Sequence, residues 1–421
     1  MEETDICLDN LKYTINEDHA IVSRQEKEFK GVAKIAESIT YEGKTYPVTT
    51  IGWGAFEGCT GLTSIEIPNS VTSIDNWAFS GCTGLTAVEI PNSVTSIGNW
   101  AFSDSTGLTS IKVEDGNPKY DSRNNCNAII ETATNKLITG CQNTIIPNSV
   151  IVIDSGAFEG CTGLTSIKIP NSVKTIGWAA FSGCTGLTSI EIPNSVTTIG
   201  YEAFKDCSGL TSIEIPDSVN SIREGAFEKT AWYNNQPDGI IYLDNWLLGY
   251  KGDMHDDKIK IANGTKGICD GAFFGCTGLT AVEIPNSVTE IGWGAFSGCT
   301  GLISIEIPNS VTEIGGSAFK DCSGLTSIKI PNSVTTIGWA AFRGCSGLTS
   351  IEIPDSVICI GDDAFEGCWG LTSIHCKSSV PPATDFHAFR PFPSTLYVPK
   401  GSLEAYKTAD YWKAFKNIVE E

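Results

Sequence analysis

The sequence predicts an α/β-type solenoid, mostly β, in which coils of 23 residues are laid one on the next. Three observations carry that expectation. In the stretch Leu187–Cys207, LTSIEIPNSVTTIGYEAFKDC, the apolar residues follow no single helical or strand period but fall into three groups: Leu187, Ile190 and Ile192, then Val196 and Ile199, then Phe204 and Cys207. Three short apolar runs predict three short walls. The same unit returns at an interval of 23, with Ala-Phe ending at Phe56, Phe79 and Phe102, at Phe158, Phe181, Phe204 and Phe227, and at Phe273, Phe296, Phe319, Phe342 and Phe365. Finally, ordering one such coil costs more backbone entropy than about seven inward side chains return, so a coil is stable only when neighbours cover its faces.

Each wall follows from its residues. Ile190 and Ile192 flank Glu191, so a strand there turns both isoleucines to one side and the carboxylate to the other. Pro193 denies the ladder a donor and Asn194-Ser195 supplies a turn. Val196 to Ile199 forms a second extended piece, Gly200 permits an unusual backbone angle, and Ala203-Phe204 suits a short helical turn.

A period in the low twenties with an L-x-x-I-x-I core marks a leucine-rich repeat, with parallel strands on the concave face and short helical turns opposite. The fuller pattern I-x-I-P-N-S-V-x-x-I-G-x-x-A-F-x-G-C stands at Ile65–Cys82, with Asp75 for the glycine, and at Val282–Cys299, with Val for the first Ile. It resembles the BspA-type leucine-rich repeat of surface proteins from gut and oral anaerobic bacteria and some mucosal protists. The resemblance implies an adhesin or binding protein, with no catalytic residues to carry over.

Along the chain, residues 1–50 lack the repeat. Leu11 to Ile15 and Ala20 to Ser23 read as strands around Asn16-Glu17-Asp18, and Tyr41 to Tyr46 as a hairpin. This is the β cap that the resemblance implies and that an open strand edge requires. Residues 51–376 form the solenoid, read as one elongated domain with hairpin interruptions near 116–143 and 228–256. The first, Asn127 to Thr132 with Lys136 to Thr139, is expected to stand off its coil. The second pairs Gly239 to Leu243 with Trp246 to Tyr250 across Asp244-Asn245. Residues 377–421 form a C-terminal cap, where Ser402 is expected to cap a terminal helix carrying Leu403, Tyr406, Trp412, Phe415 and Ile418 as its apolar stripe.

The formal charge of −21 excludes a basic stripe for nucleic acid and disfavours anionic membrane surfaces. No run of 18 apolar residues is present, so no membrane insertion is expected. The start, MEETDICLDN, has no secretory pattern. Either the protein is intracellular or a signal has been removed, and the resemblance favours the second, at the cell surface or secreted.

Ten of the 16 cysteines share one repeat position, three residues after the Phe. Parallel side chains one strand spacing apart give poor disulfide geometry, so a buried ladder of thiols is expected, with Ser105 standing in for one. No C-x-x-C is present, and no cofactor, metal or catalytic residues are expected. None of His19, His255, His375 and His387 shares a motif with a nucleophile, and the Asp253 to Asp257 loop around His255 reads as exposed polar chain rather than a cation site.

Three surfaces remain for recognition. Glu66, Glu89, Lys112, Lys168, Glu191, Glu214, Lys260, Glu283, Glu306, Lys329, Glu352 and His375 fall on the outward row of the main sheet. They are either a solvated face or a polar platform for a protein partner. Trp53, Trp77, Trp100, Trp178, Tyr201, Trp293 and Trp339 precede the Ala-Phe pair, Trp77 and Trp100 one residue later than the rest. They either cover adjacent coils or anchor sugar rings or protein. The hairpins offer Tyr242 and Trp246. The leading expectation is a non-enzymatic protein that binds host extracellular or microbial surface proteins; the alternative is a carbohydrate-binding module using the Trp row.

Overall fold

The computed structural model describes residues 4–384, 387–389 and 394–421. They form two compact units, the first spanning 1–219 with 225–235 and the second 220–224 with 236–421.

The first unit opens with an antiparallel set, Thr4–Leu8, Leu11–Ile15 and Ala20–Val22; the last two are the strands expected around Asn16-Glu17-Asp18, and Thr4–Leu8 is a further one. Ala20–Val22 then pairs in parallel with Lys44–Ile51, which in turn pairs with Ser73–Ile74 of the first repeat. Separately, Lys30–Lys34 runs parallel to Gly61–Glu66. The cap therefore supplies a strand to each of the two ladders that the repeats continue: a front ladder from the I-x-I segments and a back ladder from the V-x-x-I segments. Ser38–Tyr41 closes against Lys44–Ile51 through Glu42-Gly43, both at positive φ.

The Ala-Phe segment forms hydrogen-bonded turns in place of the expected helical turn. In the first coil Ala55 N–H and Glu57 N–H reach back three residues to Gly52 and Gly54, but Phe56 N–H bonds to Ala78 O at 2.7 Å and Gly58 N–H to Ser80 O at 2.7 Å in the next coil. Alternate donors are spent between coils, so no helix can propagate.

Inside, the rings of Phe158, Phe181, Phe204 and Phe227 stack 4.9–5.5 Å apart with interplanar angles of 1–3°. The thiol ladder is present, with every cysteine free. Cys82, Cys184 and Cys207 each donate to the carbonyl of the Phe 26 residues earlier, at 3.0–3.1 Å. Ser105 makes the same bond to Phe79 O at 2.7 Å, which is why it can replace the thiol.

The first interruption does not stand off its coil. Ala128–Glu131 and Lys136–Gly140 form the expected hairpin, but Lys136-Leu137 pairs in parallel with Val152-Ile153, so the hairpin is a rung of the back ladder. Ile129, Ile130 and Leu137 are fully buried; apolar residues on both faces make projection into water costly.

In the second unit the hairpin Gly239–Leu243 with Trp246–Lys251 begins the back ladder in the same way, through Trp246-Leu247 against Gly267-Ile268. The front strands are Lys258–Lys260, Ala281–Glu283, Ser304–Glu306 and Ser327–Lys329, then Ser350–Ile353, Ser373–Cys376, Thr395–Val398 and Asn417–Glu420. Phe273 to Phe365 stack as in the first unit, and the off-period Phe389 joins them 5.1 Å from Phe365.

The terminal segment corrects the sequence expectation. Only Leu403–Thr408 is α-helix; Tyr411 takes a positive φ of 65°, Trp412–Ala414 is a single 3-10 turn, and Asn417–Glu420 is a strand parallel to Thr395–Val398. Ser402 does not cap the helix with its side chain but donates to Pro399 O. Tyr406 and Trp412 still bury their rings, with Trp412 Nε1–H bonded to Pro382 O at 2.9 Å. The last front strand needs a partner more than the apolar stripe needs a helix.

Candidate functional site

Most front segments bury both apolar residues of the I-x-I pattern and expose the residue between them, as Ser350–Ile353 shows with Ile351 and Ile353 inside and Glu352 outside. Every sheet-face Glu and Lys expected from the repeat is exposed. Register sets their order. In the first unit Lys34 lies opposite Glu66, 3.1 Å apart, and Lys112 donates to Glu89 at 2.6 Å, the hydrogen bond that raises the Lys112 pKa. Lys168 lies opposite Glu191 in an isolated parallel backbone bridge, and Ile190 opposite Ile213 places Glu214 next. In the second unit Lys260 pairs with Glu283 at 2.9 Å, Val282 opposite Ile305 brings Glu306 alongside, and Glu306 lies opposite Lys329. Glu352 lies opposite His375, whose ring stacks on Tyr397 at 4.5 Å and whose Nδ1 is 2.9 Å from Glu421. Lys34, Tyr397 and Glu421 escaped the sequence reading because the caps that hold them lie outside the 23-residue period; strand register alone places them.

Each unit carries a groove along its own front strands. One of about 860 Å³ in the second unit is lined by Lys260, Glu283, Glu306 and Lys329 with Asn263, Asn286 and Asn309. One of about 390 Å³ in the first unit is lined by Glu191, Glu214 and Asn194. The asparagines come from the turn after each front strand, closed by bonds such as Val196 N–H to Pro193 O at 3.0 Å. The turn serine is tied inward, Ser195 to Val173 O at 2.7 Å and Ser333 to Val311 O at 2.6 Å, which leaves the asparagine outward. Sequence reading took these asparagines only as turn formers.

The aromatic row is half exposed. Trp53 is 55% and Trp178 48% accessible, and Tyr201, Trp293 and Trp339 are also exposed, while Trp77 and Trp100 are intermediate. In the first unit the indoles lie on one another: Trp53 edge-on to Trp77 at 5.6 Å, Trp77 stacked on Trp100 at 5.9 Å, and Trp100 edge-on to Trp178 at 5.0 Å. Trp77 and Trp100, one residue later than the rest, stand at the repeat position that takes a positive φ in the other coils too, as at Gly54 and Ala179, and each has a φ of 54°. In the second unit Trp293 leans over Gly316, whose missing side chain leaves room for the ring.

Other chemistry-bearing residues are structural. Trp246 is buried in its hairpin, and Tyr242 accepts from Ala262 N–H at 3.0 Å, so neither projects as a contact. Burial pushes the Cys82, Cys207, Cys322 and Cys368 thiols up to about 12, far from nucleophilic. Burial, reinforced by nearby carboxylates, also raises Glu159 and Glu290 to about 7. His255 and its acidic neighbours are exposed. Among the described residues, Asp362, Asp363 and His387 converge closely enough to share a cation, but Arg343 already bonds Asp363 at 3.2 Å and Glu366 at 2.9 Å. No helix among the described residues is long and apolar enough to cross a membrane.

No curated protein matches the chain. Among solved structures it is similar to a leucine-rich repeat protein from Bacteroides ovatus, at 26% identity over 99% of this chain and 100% of that one, with a TM-score of 0.42. It is also similar to a leucine rich cell surface protein from Faecalibacterium prausnitzii, at 28% identity over 89% and 95%, with a TM-score of 0.38. The profile of the BspA type leucine rich repeat region matches residues 25–139, 128–237, 253–372 and 317–390. With that profile spanning most of the chain, and with two parallel ladders rising by 23 residues per coil, the protein belongs to the BspA-type leucine-rich repeat family.

Proposed function

We propose that this chain is a non-catalytic binding protein, displayed on or released from a bacterial cell, that engages host extracellular or microbial surface proteins through the front face of its sheets. The observation that carries this reading is the row of exposed, in-register charged side chains, which lines a groove with Glu and Lys in the second unit and with Glu191 and Glu214 in the first. A regular, rigid and polar surface of this kind suits a protein partner, because charge pattern fixes register and excludes wrong partners. The ladder thiols are turned into the stack, most of them buried, and so are not offered on that face.

The test is a binding screen of the full chain against immobilised extracellular-matrix and bacterial-surface proteins. Glu191→Lys/Glu214→Lys/Glu283→Lys/Glu306→Lys is expected to abolish capture of the protein partner with unchanged circular dichroism; undiminished capture moves the site off the sheet. The exposed indoles favour a second reading, a carbohydrate platform. In that case a glycan panel binds and Trp293→Ala/Trp339→Ala removes the signal. The mutual contacts of Trp53, Trp77, Trp100 and Trp178 occupy part of their surfaces with one another, which favours the protein reading.

A further inference from the structure

We infer that the adjacent glutamates at the centre of each charged series are docking points for basic side chains, so that the front face takes an extended Lys/Arg-rich segment of a protein partner. The inference rests on the proposed protein-binding role of this face and adds the chemistry of what binds there.

Charge order is the starting point. Lys34, Glu66, Glu89 and Lys112 run plus, minus, minus, plus; Lys260, Glu283, Glu306 and Lys329 repeat the order, and Lys168, Glu191 and Glu214 begin it again. Each lysine faces the outer side of a glutamate. The inner sides of Glu283 and Glu306, and of Glu191 and Glu214, face each other across one strand spacing, about 4.8 Å of backbone; Glu66 and Glu89 stand one repeat apart on strands that pack together without a shared ladder. Like charges directly opposite in a sheet are unfavourable. The repeat does accept Lys at this position, as Lys112, Lys168 and Lys329 show, so strict alternation was open to the sequence.

A repulsive pair in the same place three times is relieved by a cation supplied from outside. A guanidinium, planar and with donors on two edges, can bridge two carboxylates at that spacing; an ammonium can sit between them. Two of the three pairs, Glu283 with Glu306 and Glu191 with Glu214, lie in the grooves of about 860 and 390 Å³. The outward asparagines of the flanking turns add donors and acceptors for a backbone. The overall charge of −21 draws a basic partner in and repels polyanions.

The experiment uses the full chain and a fluorescein-labelled peptide of alternating Arg and Ser, with the Glu/Ser peptide as its opposite, read by fluorescence anisotropy at about 0.15 M salt, where exposed charges beyond about 8 Å are screened. Glu283→Gln/Glu306→Gln is compared with Glu404→Gln/Asp410→Asn, an equal change of charge at two highly exposed positions elsewhere in the same unit. The groove variant is expected to weaken the Arg peptide by about tenfold and the control by less than about twofold. Equal weakening by both, or none by the groove variant, overturns the inference, since binding would then be diffuse attraction to an acidic protein. The reading beneath it fails separately. If the quadruple Lys variant abolishes capture of a protein from the panel but the Arg peptide does not compete for that capture, the face binds protein and the basic-segment inference is wrong. If the quadruple variant captures normally, both fall.

Discussion

Cys322 and Glu290 show how far single side chains are set by their place in the stack. Cys322 donates to Phe296 O at 3.1 Å within a thiol ladder that Ser105 joins without disruption. Cys322→Ser keeps the donor and is expected to cost within about 1 kcal/mol, whereas Cys322→Leu overfills a site with no spare volume and costs about 1–3 kcal/mol, both measured by chemical denaturation. Glu290 is raised from 4.5 to about 7, first by burial and then by Asp270 and Glu313, with Arg223 opposing. The folded protein therefore holds a proton there that the unfolded chain releases above about pH 4.5. Its contribution to stability is fully present below that pH and is lost as pH rises through about 7. Denaturation midpoints between pH 4.5 and 8 are expected to fall less steeply in Glu290→Gln than in the wild type; an unchanged slope would place the titrating group elsewhere.

At the level of strands, the front pair Ala281–Glu283 and Ser304–Glu306 holds two like charges side by side. Glu306→Gln removes both the repulsion from Glu283 and the attraction to Lys329 on its other side, terms of about 0.2–1 kcal/mol each, so stability read from the denaturation midpoint is expected to move by less than about 1 kcal/mol. Glu306→Gln/Lys329→Gln, in contrast, is expected to be no less stable than Lys329→Gln alone, which has already lost the attraction. Strand placement was legible wherever apolar residues alternate between turn formers: Ile190, Val282 and Ile305 point inward as their spacing requires. The turn at Phe56 was read as helical because propensity speaks only to one segment, and the donors of Phe56 and Gly58 are claimed by a coil 23 residues away. Competition of the same kind misled the reading at Phe415 and Ile418, whose spacing suits a helix until Thr395–Val398 offers its free edge. The hairpin at 128–140 looked detached because it breaks the period; it leaves the ladder unbroken, and period and ladder are different quantities.

Over the whole chain, the 23-residue interval makes the architecture readable in the sequence, because each coil is stable only through its neighbours and must therefore resemble them. The candidate site was half readable. Periodicity found the charged row and the indoles, but not Lys34 or Tyr397, which reach the row from segments without a period, nor the asparagine rims that turn a flat face into grooves. The division into two compact units falls at residues 220–236, beside the second interruption of the repeat, where the sequence reads as one continuous domain with a hairpin inserted. The indoles of Trp53, Trp77, Trp100 and Trp178, each within 6 Å of the next, have an optical consequence. Transition dipoles that close couple, so excitation is shared among four indoles spread over five coils, with Gly156 of the coil between letting Trp100 reach Trp178, and the near-ultraviolet spectrum reports their spacing. Separation of any two of those coils would uncouple the chromophores, giving this protein a built-in gauge of local opening that needs no label.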